Sequence, residues 1–147
     1  MNYIIRKATM DDIDTIWELG KNVSGFETAE DIVTFWPKSI LENCIDKNDV
    51  LIKVLEIDSA IVGFIIANIN NSLKKAELEN QYVLLEYRHQ GYGKAMLHDM
   101  IEDLETLGVE NVVALSSDEV DFLLRNGFTK GNQFYWMDLA LNERFKK

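Results

Sequence analysis

The stretch EYRHQGYGKAML, Glu86 to Leu97, decides how the rest of the chain is read. A β-type run ends just before it and a long amphipathic helix begins inside it. Between the two stand Gly91 and Gly93, one residue apart, with Arg88 three positions upstream. Glycine allows a tight turn and lets a ligand approach the main chain without meeting a Cβ. A helix start adds unpaired N–H groups and the positive end of the dipole, which together attract phosphate. The spacing therefore predicts an anion site for a phosphorylated cofactor.

Upstream, Lys75 to Leu85 reads as a strand with polar residues at Glu77, Glu79 and Gln81. Strict alternation would put all three on one face, meeting solvent or lining a cleft. Before it, Asp49 to Ile57 and Ala60 to Ile69 are β-rich and joined by a tight turn at Asp58-Ser59. Asn70 to Lys74 is a polar turn. The chain opens with a strand over Tyr3 to Ala8, then a helix started by Thr9, Asp11 and Asp12 and carrying Ile13, Ile16, Trp17, Leu19 and Val23. Gly25 breaks it. A second helical stretch begins near Thr28, with Thr28 to Asp31 as a capped first turn. It runs through Ile32, Val33, Phe35, Trp36 and Ile40 to Ile45, kinked or split at Pro37.

Downstream, the main helix spans roughly Gly91 to Leu107, with Met96, Leu97, Met100, Ile101, Leu104 and Leu107 as its core stripe and Gly108 as its C-cap. Val109 to Leu115 is a short strand. Ser116 or Ser117 caps a helix to about Asn126, and Gly127 stops it. Phe128 to Leu141 reads as a final strand or hairpin turning near Lys130-Gly131-Asn132. The order β-α-α-β-β-β-α-β-α-β predicts an α/β fold, a mixed sheet flanked by helices, in a single domain over 1–147.

A formal charge of −10, from 25 acidic and 15 basic residues, argues against nucleic acid as a partner and suits a cationic substrate. The plainer alternative is an acidic surface that only maintains solubility. One cysteine, Cys44, excludes an intrachain disulfide framework and fits a reducing cytoplasm. With only His89 and His98 beside it, no zinc set is visible and no metal is expected. No apolar stretch is long enough to span a bilayer, and MNYIIRKAT lacks the apolar region of a signal peptide. A cytoplasmic location without membrane attachment is the expectation.

Two glycine loops fail on spacing. A dinucleotide fingerprint needs a small residue three positions after Gly93, where Met96 stands. A Walker loop needs Ser or Thr after Lys94, where Ala95 stands, and a glycine where Arg88 stands. What Val83, then Glu86-Tyr87-Arg88, then R-x-x-G-x-G over Arg88 to Gly93 resembles is the acetyl-CoA loop of the GNAT N-acetyltransferases. The opening IRKAT-x-x-D, the helix pair, IVGF in the third strand, NGF at Asn126 to Phe128 and the closing YWMDLAL follow that family's order.

The resemblance implies a mostly antiparallel sheet and direct transfer of an acetyl group from acetyl-CoA to a primary amine, without an acyl-enzyme. It implies that main-chain groups of Val83 and Leu85 pair with the pantetheine arm. It assigns the pyrophosphate to the backbone of His89, Gln90, Gly91, Tyr92, Gly93 and Lys94, assisted by the charges of Arg88 and Lys94. Glu77 stands where some members carry a base, and Glu79 would raise its pKa or bind the cation. The plain alternative is a pair of exposed strand glutamates. The family's thiol-protonating tyrosine, four residues before Gly127, is here Leu123. That departure keeps a second reading open, a CoA-binding sensor or partner-binding domain without turnover. The acceptor, a small molecule or a peptide amine, is set by the variable segment Gly20 to Asp46. Pairing of C-terminal strands, known in the family, allows a homodimer.

Overall fold

A computed structural model describes residues 2–23, 26, 35–115, 119–133, 135 and 137–145. The expected break at Gly25, the capped turn at Thr28 to Asp31 with Ile32 and Val33, the caps Ser116 and Ser117, and Phe134 and Trp136 lie outside the described residues. The chain falls into two compact units, residues 1–22 with 36–115 and residues 23–35 with 116–147.

The first unit holds a five-stranded sheet in sequence order: β1 (Tyr3–Lys7), β2 (Val50–Ile57), β3 (Ala60–Asn70), β4 (Lys75–Val83) and β5 (Asn111–Ala114). All neighbours are antiparallel except β4 and β5, which run parallel. Every residue from Val50 to Leu55 and from Val62 to Ala67 is buried. A strand buried on both faces reads as an unbroken apolar run, which is why the central pair lacks alternation. The β2–β3 hairpin turns through Asp58 and Ser59, with φ of 48° and 68°, the left-handed pair that matches strand twist.

Helix α1 (Ile13–Gly20) follows a single 3₁₀ turn at Met10–Asp12. The Thr9 amide donates to Asp12 Oδ2 at 2.7 Å, and Arg6 grips the same carboxylate with two nitrogens at 2.7 and 3.0 Å. This is the physical content of the R-K-A-T-x-x-D opening: Asp12 ties the end of β1 to the start of α1. Helix α2 (Lys38–Cys44) packs on α1. Pro37 is its N-cap, so the proline starts this helix rather than kinking it; a ring without an N–H costs nothing at a helix start.

Helix α3 (Tyr92–Thr106) lies on β2, β3 and β4, burying Met96, Leu97, Met100 and Leu104. It ends at Gly108, φ 91°, where the Gly108 and Val109 amides bond Glu105 O and Leu104 O. Leu107, expected in the core stripe, is instead 58 % exposed. It has rotated past the sheet by the time the helix stops.

The second unit contains α4 (Val120–Arg125) and a ring stack of Phe26 on Phe35 at 5.6 Å. The closing strand expected over Phe128 to Leu141 is not formed among the described residues of that stretch. Tyr135, Met137, Leu139 and Leu141 are 91, 86, 80 and 89 % exposed. Their alternation is a strand pattern, but a strand without a partner edge has no ladder to stabilise it.

Candidate acyl-transfer site

Two register changes in β4 and its neighbours build the site. The first is a bulge. Ile66 pairs with Asn80 and Ala67 with Leu78, so Glu79 is passed over. An extra residue resets the alternation of side chains. Glu77, Glu79 and Gln81 therefore do not share a face, as strict alternation had predicted. Gln81 pairs with Ile65, and Ile65 with Lys53. Lys53 is buried and ion-paired to Asp99 and Asp103 of α3. Gln81 accordingly faces α3, and its Nε2 donates to Gly93 O at 2.7 Å. Glu77 pairs with Asn68 on the opposite face. There Asn68 Nδ2 donates to Glu79 Oε1 at 2.8 Å, and Trp36 Nε1 donates to Asn80 Oδ1 at 2.9 Å.

The second change is a parting of strands. β5 pairs with β4 only from Lys75 to Leu78. Beyond Leu78 no described residue of the chain after β5 pairs with that edge of β4, and Glu77 sits one residue before this point. Leu84 N–H donates to Val62 O, towards β3. Main-chain groups alternate sides, so those of Gln81 and Val83 point to the open edge. The Val83 carbonyl already receives Arg88 Nε at 2.7 Å, and the Arg88 guanidinium lies over the Tyr82 ring at 5.2 Å.

The pair of carboxylates has a distinct electrostatic setting. Partial burial pushes the Glu77 carboxyl above its ordinary range, and the charge of Glu79 pushes it further, with Lys75 opposing. On the other side, burial alone would lower Lys53, but its bonds to Asp103 and Asp99 more than offset this and hold it raised. Cys44 is buried and its thiol is pushed up by desolvation, the setting of an inert residue.

The glycine loop takes the expected form with one amendment. β4 ends at Val83, and Leu85–Tyr87 is a 3₁₀ turn. Leu85 is therefore not a strand residue, its side chain is 72 % exposed, and its carbonyl accepts the Arg88 amide. The chain leaves the sheet early because Leu84 and Leu85 carbonyls close a turn onto Tyr87 and Arg88. His89, φ 59°, and Gly91, φ 88°, swing the backbone into α3. Gln90 Nε2 holds the Glu86 carbonyl at 3.1 Å. Nothing lies within 4 Å of where a Cβ on Gly91 would stand, so the space in front of the helix is open. The first turn closes with Ala95 N–H on Gly91 O. The amides of Tyr92, Gly93 and Lys94 thus have no acceptor within the helix. The Tyr92 ring is buried against Tyr3, at 5.4 Å, so only the main chain of Tyr92 serves the loop.

Among the described residues no group of three or more His, Cys, Asp or Glu is placed to hold a metal ion, and no helix is long and apolar enough to cross a membrane. Leu123 lies half-buried in α4. Sequence reasoning missed Asn68 and Asn80 and placed Gln81 on the face of the glutamates, because all three positions depend on the bulge at Glu79.

The fold recurs in acetyltransferases of known structure. The PaiA N-acetyltransferase of Thermoplasma acidophilum with bound coenzyme A superposes with a TM-score of 0.74 at 23 % identity, over 91 % of this chain and 94 % of that one. An aminoglycoside acetyltransferase from an uncultured soil sample, in complex with sisomicin, gives 0.74 at 16 % identity over 95 and 97 % of the two chains. The N-acetylglutamate synthase of Neisseria gonorrhoeae gives 0.75 at 22 % identity over 90 % of this chain, which spans 29 % of that protein's length. No curated protein matches the sequence. The model of the acetyltransferase (GNAT) family matches residues 11–128, more than half of the sequence. On that match the chain belongs to the GNAT family of acetyltransferases.

Proposed function

We propose that the chain is an acetyl-CoA-dependent N-acetyltransferase that passes its acetyl group directly to a primary amine. One observation carries the reading: β4 pairs with β5 only as far as Leu78, and among the described residues its edge is open from there to the glycine loop. An extended arm fits such an edge as an added strand, with the Val83 and Gln81 amides as donors. The Tyr92, Gly93 and Lys94 amides take the pyrophosphate, favoured by the dipole of a 15-residue helix. Acetyl-CoA supplies the activated thioester. Arg88 shapes the edge through Val83 rather than serving as a bare charge.

Glu77 is the base. Its raised pKa brings it nearer to neutrality, where a carboxylate accepts a proton from an ammonium more readily. Glu79 stays beside it as the fixed negative charge for the cation. The freed amine then attacks the thioester carbonyl and the thiolate leaves. The carboxylate pair and the charge of −10 favour a cationic acceptor, a small molecule or the amine of a peptide. The charge also disfavours a nucleic-acid partner, and the single Cys44 fits a cytoplasmic enzyme. We take 1–147 as one domain, supported by a family match that spans both compact units.

A second reading rests on Leu123, which replaces a phenolic acid by an alkyl group: a CoA sensor without turnover. Incubation with acetyl-CoA and a panel of polyamines, amino sugars, amino acids and peptides, following free thiol, separates the two. Thiol release with an amine supports the enzyme. CoA binding without release across the panel favours the sensor, and absence of any thermal shift with CoA sinks both.

A further inference from the structure

The bond from Gln81 Nε2 to Gly93 O joins a strand to the second residue of α3. Inside a helix the Gly93 carbonyl already faces the Leu97 amide, so Gln81 uses the second lone pair. That carbonyl shares one peptide unit with the Lys94 amide, which has no acceptor in the helix. A donor at the oxygen end of a peptide polarises it and strengthens the N–H at the other end. Gln81 lies on a strand paired to β3, so it also fixes the tilt of this peptide from a rigid support.

We infer that Gln81 is a positioning residue for the phosphate loop, orienting and polarising the Gly93–Lys94 peptide so that the Lys94 amide meets the cofactor's pyrophosphate. The inference rests on the acetyl-CoA reading above and concerns this chain's own choice of a polar residue under α3. An apolar side chain would fill the space and leave the peptide unheld. A glutamate of the same shape would set an acceptor against an acceptor and place a negative charge behind the phosphates.

The test is calorimetric titration of the full chain with CoA, for wild type, Gln81→Leu and Gln81→Glu, together with thermal unfolding without ligand and the Lys94 amide resonance. Gln81→Leu should weaken CoA about three- to ten-fold, the size of one neutral hydrogen bond. Gln81→Glu should weaken it more while keeping the volume of the side chain. The Lys94 amide proton should move upfield in both variants, a change that packing alone does not produce. Equal CoA affinity in wild type and variants, or an unmoved Lys94 amide, overturns the inference and leaves the acetyl-CoA reading standing. Wild type that fails to bind CoA removes the reading and the inference with it.

Discussion

The two faces of β4 carry polar residues of similar size to opposite ends. On one face the partly buried Glu77 stands close enough to the exposed Glu79 to feel its charge, and Lys75 offsets this only in part. On the other face polar groups are tied down: Gln81 to the Gly93 carbonyl, and Lys53 in the same cross-strand row to two aspartates of α3. The first face holds charge that is unfavourable at rest. The second ties its polar groups to a helix. A polar residue in a strand thus acquires its role from the side of the sheet it meets.

Removing the residue that is passed over tests the division of the faces itself. Deleting Glu79 makes Ala67–Leu78 and Ile66–Asn80 consecutive pairs, so every other side chain of β4 keeps its side. We expect a loss of about 2 kcal/mol, from the Asn68 bond and the straightened strand. Urea unfolding measures it, and a loss of about 4 kcal/mol or more, the sign of an apolar set leaving the core, would show that Glu79 is not the extra residue.

Glu77→Gln sharpens the comparison on the charged face. Turnover should fall about 100-fold, the lower range for loss of a general base, and the acid limb of the pH profile should vanish. Stability should move the other way. The folded carboxyl holds its proton above the unfolded value, so folding is penalised as pH rises through that window. The variant should therefore be slightly more stable than wild type at neutral pH, and an unchanged pH profile would remove Glu77 as base.

On the other face, Gly91→Val probes the loop that this face supports. No atom obstructs the new side chain, but a φ of 88° strains any β-branched residue by about 1–2 kcal/mol. CoA affinity should drop at least about tenfold while the circular dichroism spectrum is kept. Normal binding would deny the loop its role. The smallest effect belongs to Lys53→Met, which fills the same space. Asp99 and Asp103 are 34 and 46 % exposed in their side chains and can take up water, so the loss should be about 1 kcal/mol, with CoA affinity unchanged. A drop in affinity would mean that α3 is aimed by this cluster as well as by Gln81.

Much of this was legible in advance because it is local. The hairpin at Asp58-Ser59, the cap at Gly108 and the glycine loop are each decided by residues a few positions apart, through backbone preference alone. The tie between Arg6, Thr9 and Asp12 is local as well. What could not be read was non-local. Tyr135, Met137, Leu139 and Leu141 alternate as a strand does, yet a strand is a relation between two edges. The pattern states a preference and not a partner.

The amino-acid sequence by itself determined the order of the central elements, the glycine loop after the fourth strand and the presence of two glutamates in that strand. Only the tertiary structure decided which way those side chains point. Passing over Glu79 depends on how β4 meets β3, and the parting from β5 depends on where Ala114 ends its ladder. Both are matters of register between segments far apart in the chain. A shift of one residue in register turns a core-facing glutamine into a cleft-facing one, and nothing within the strand records which will occur.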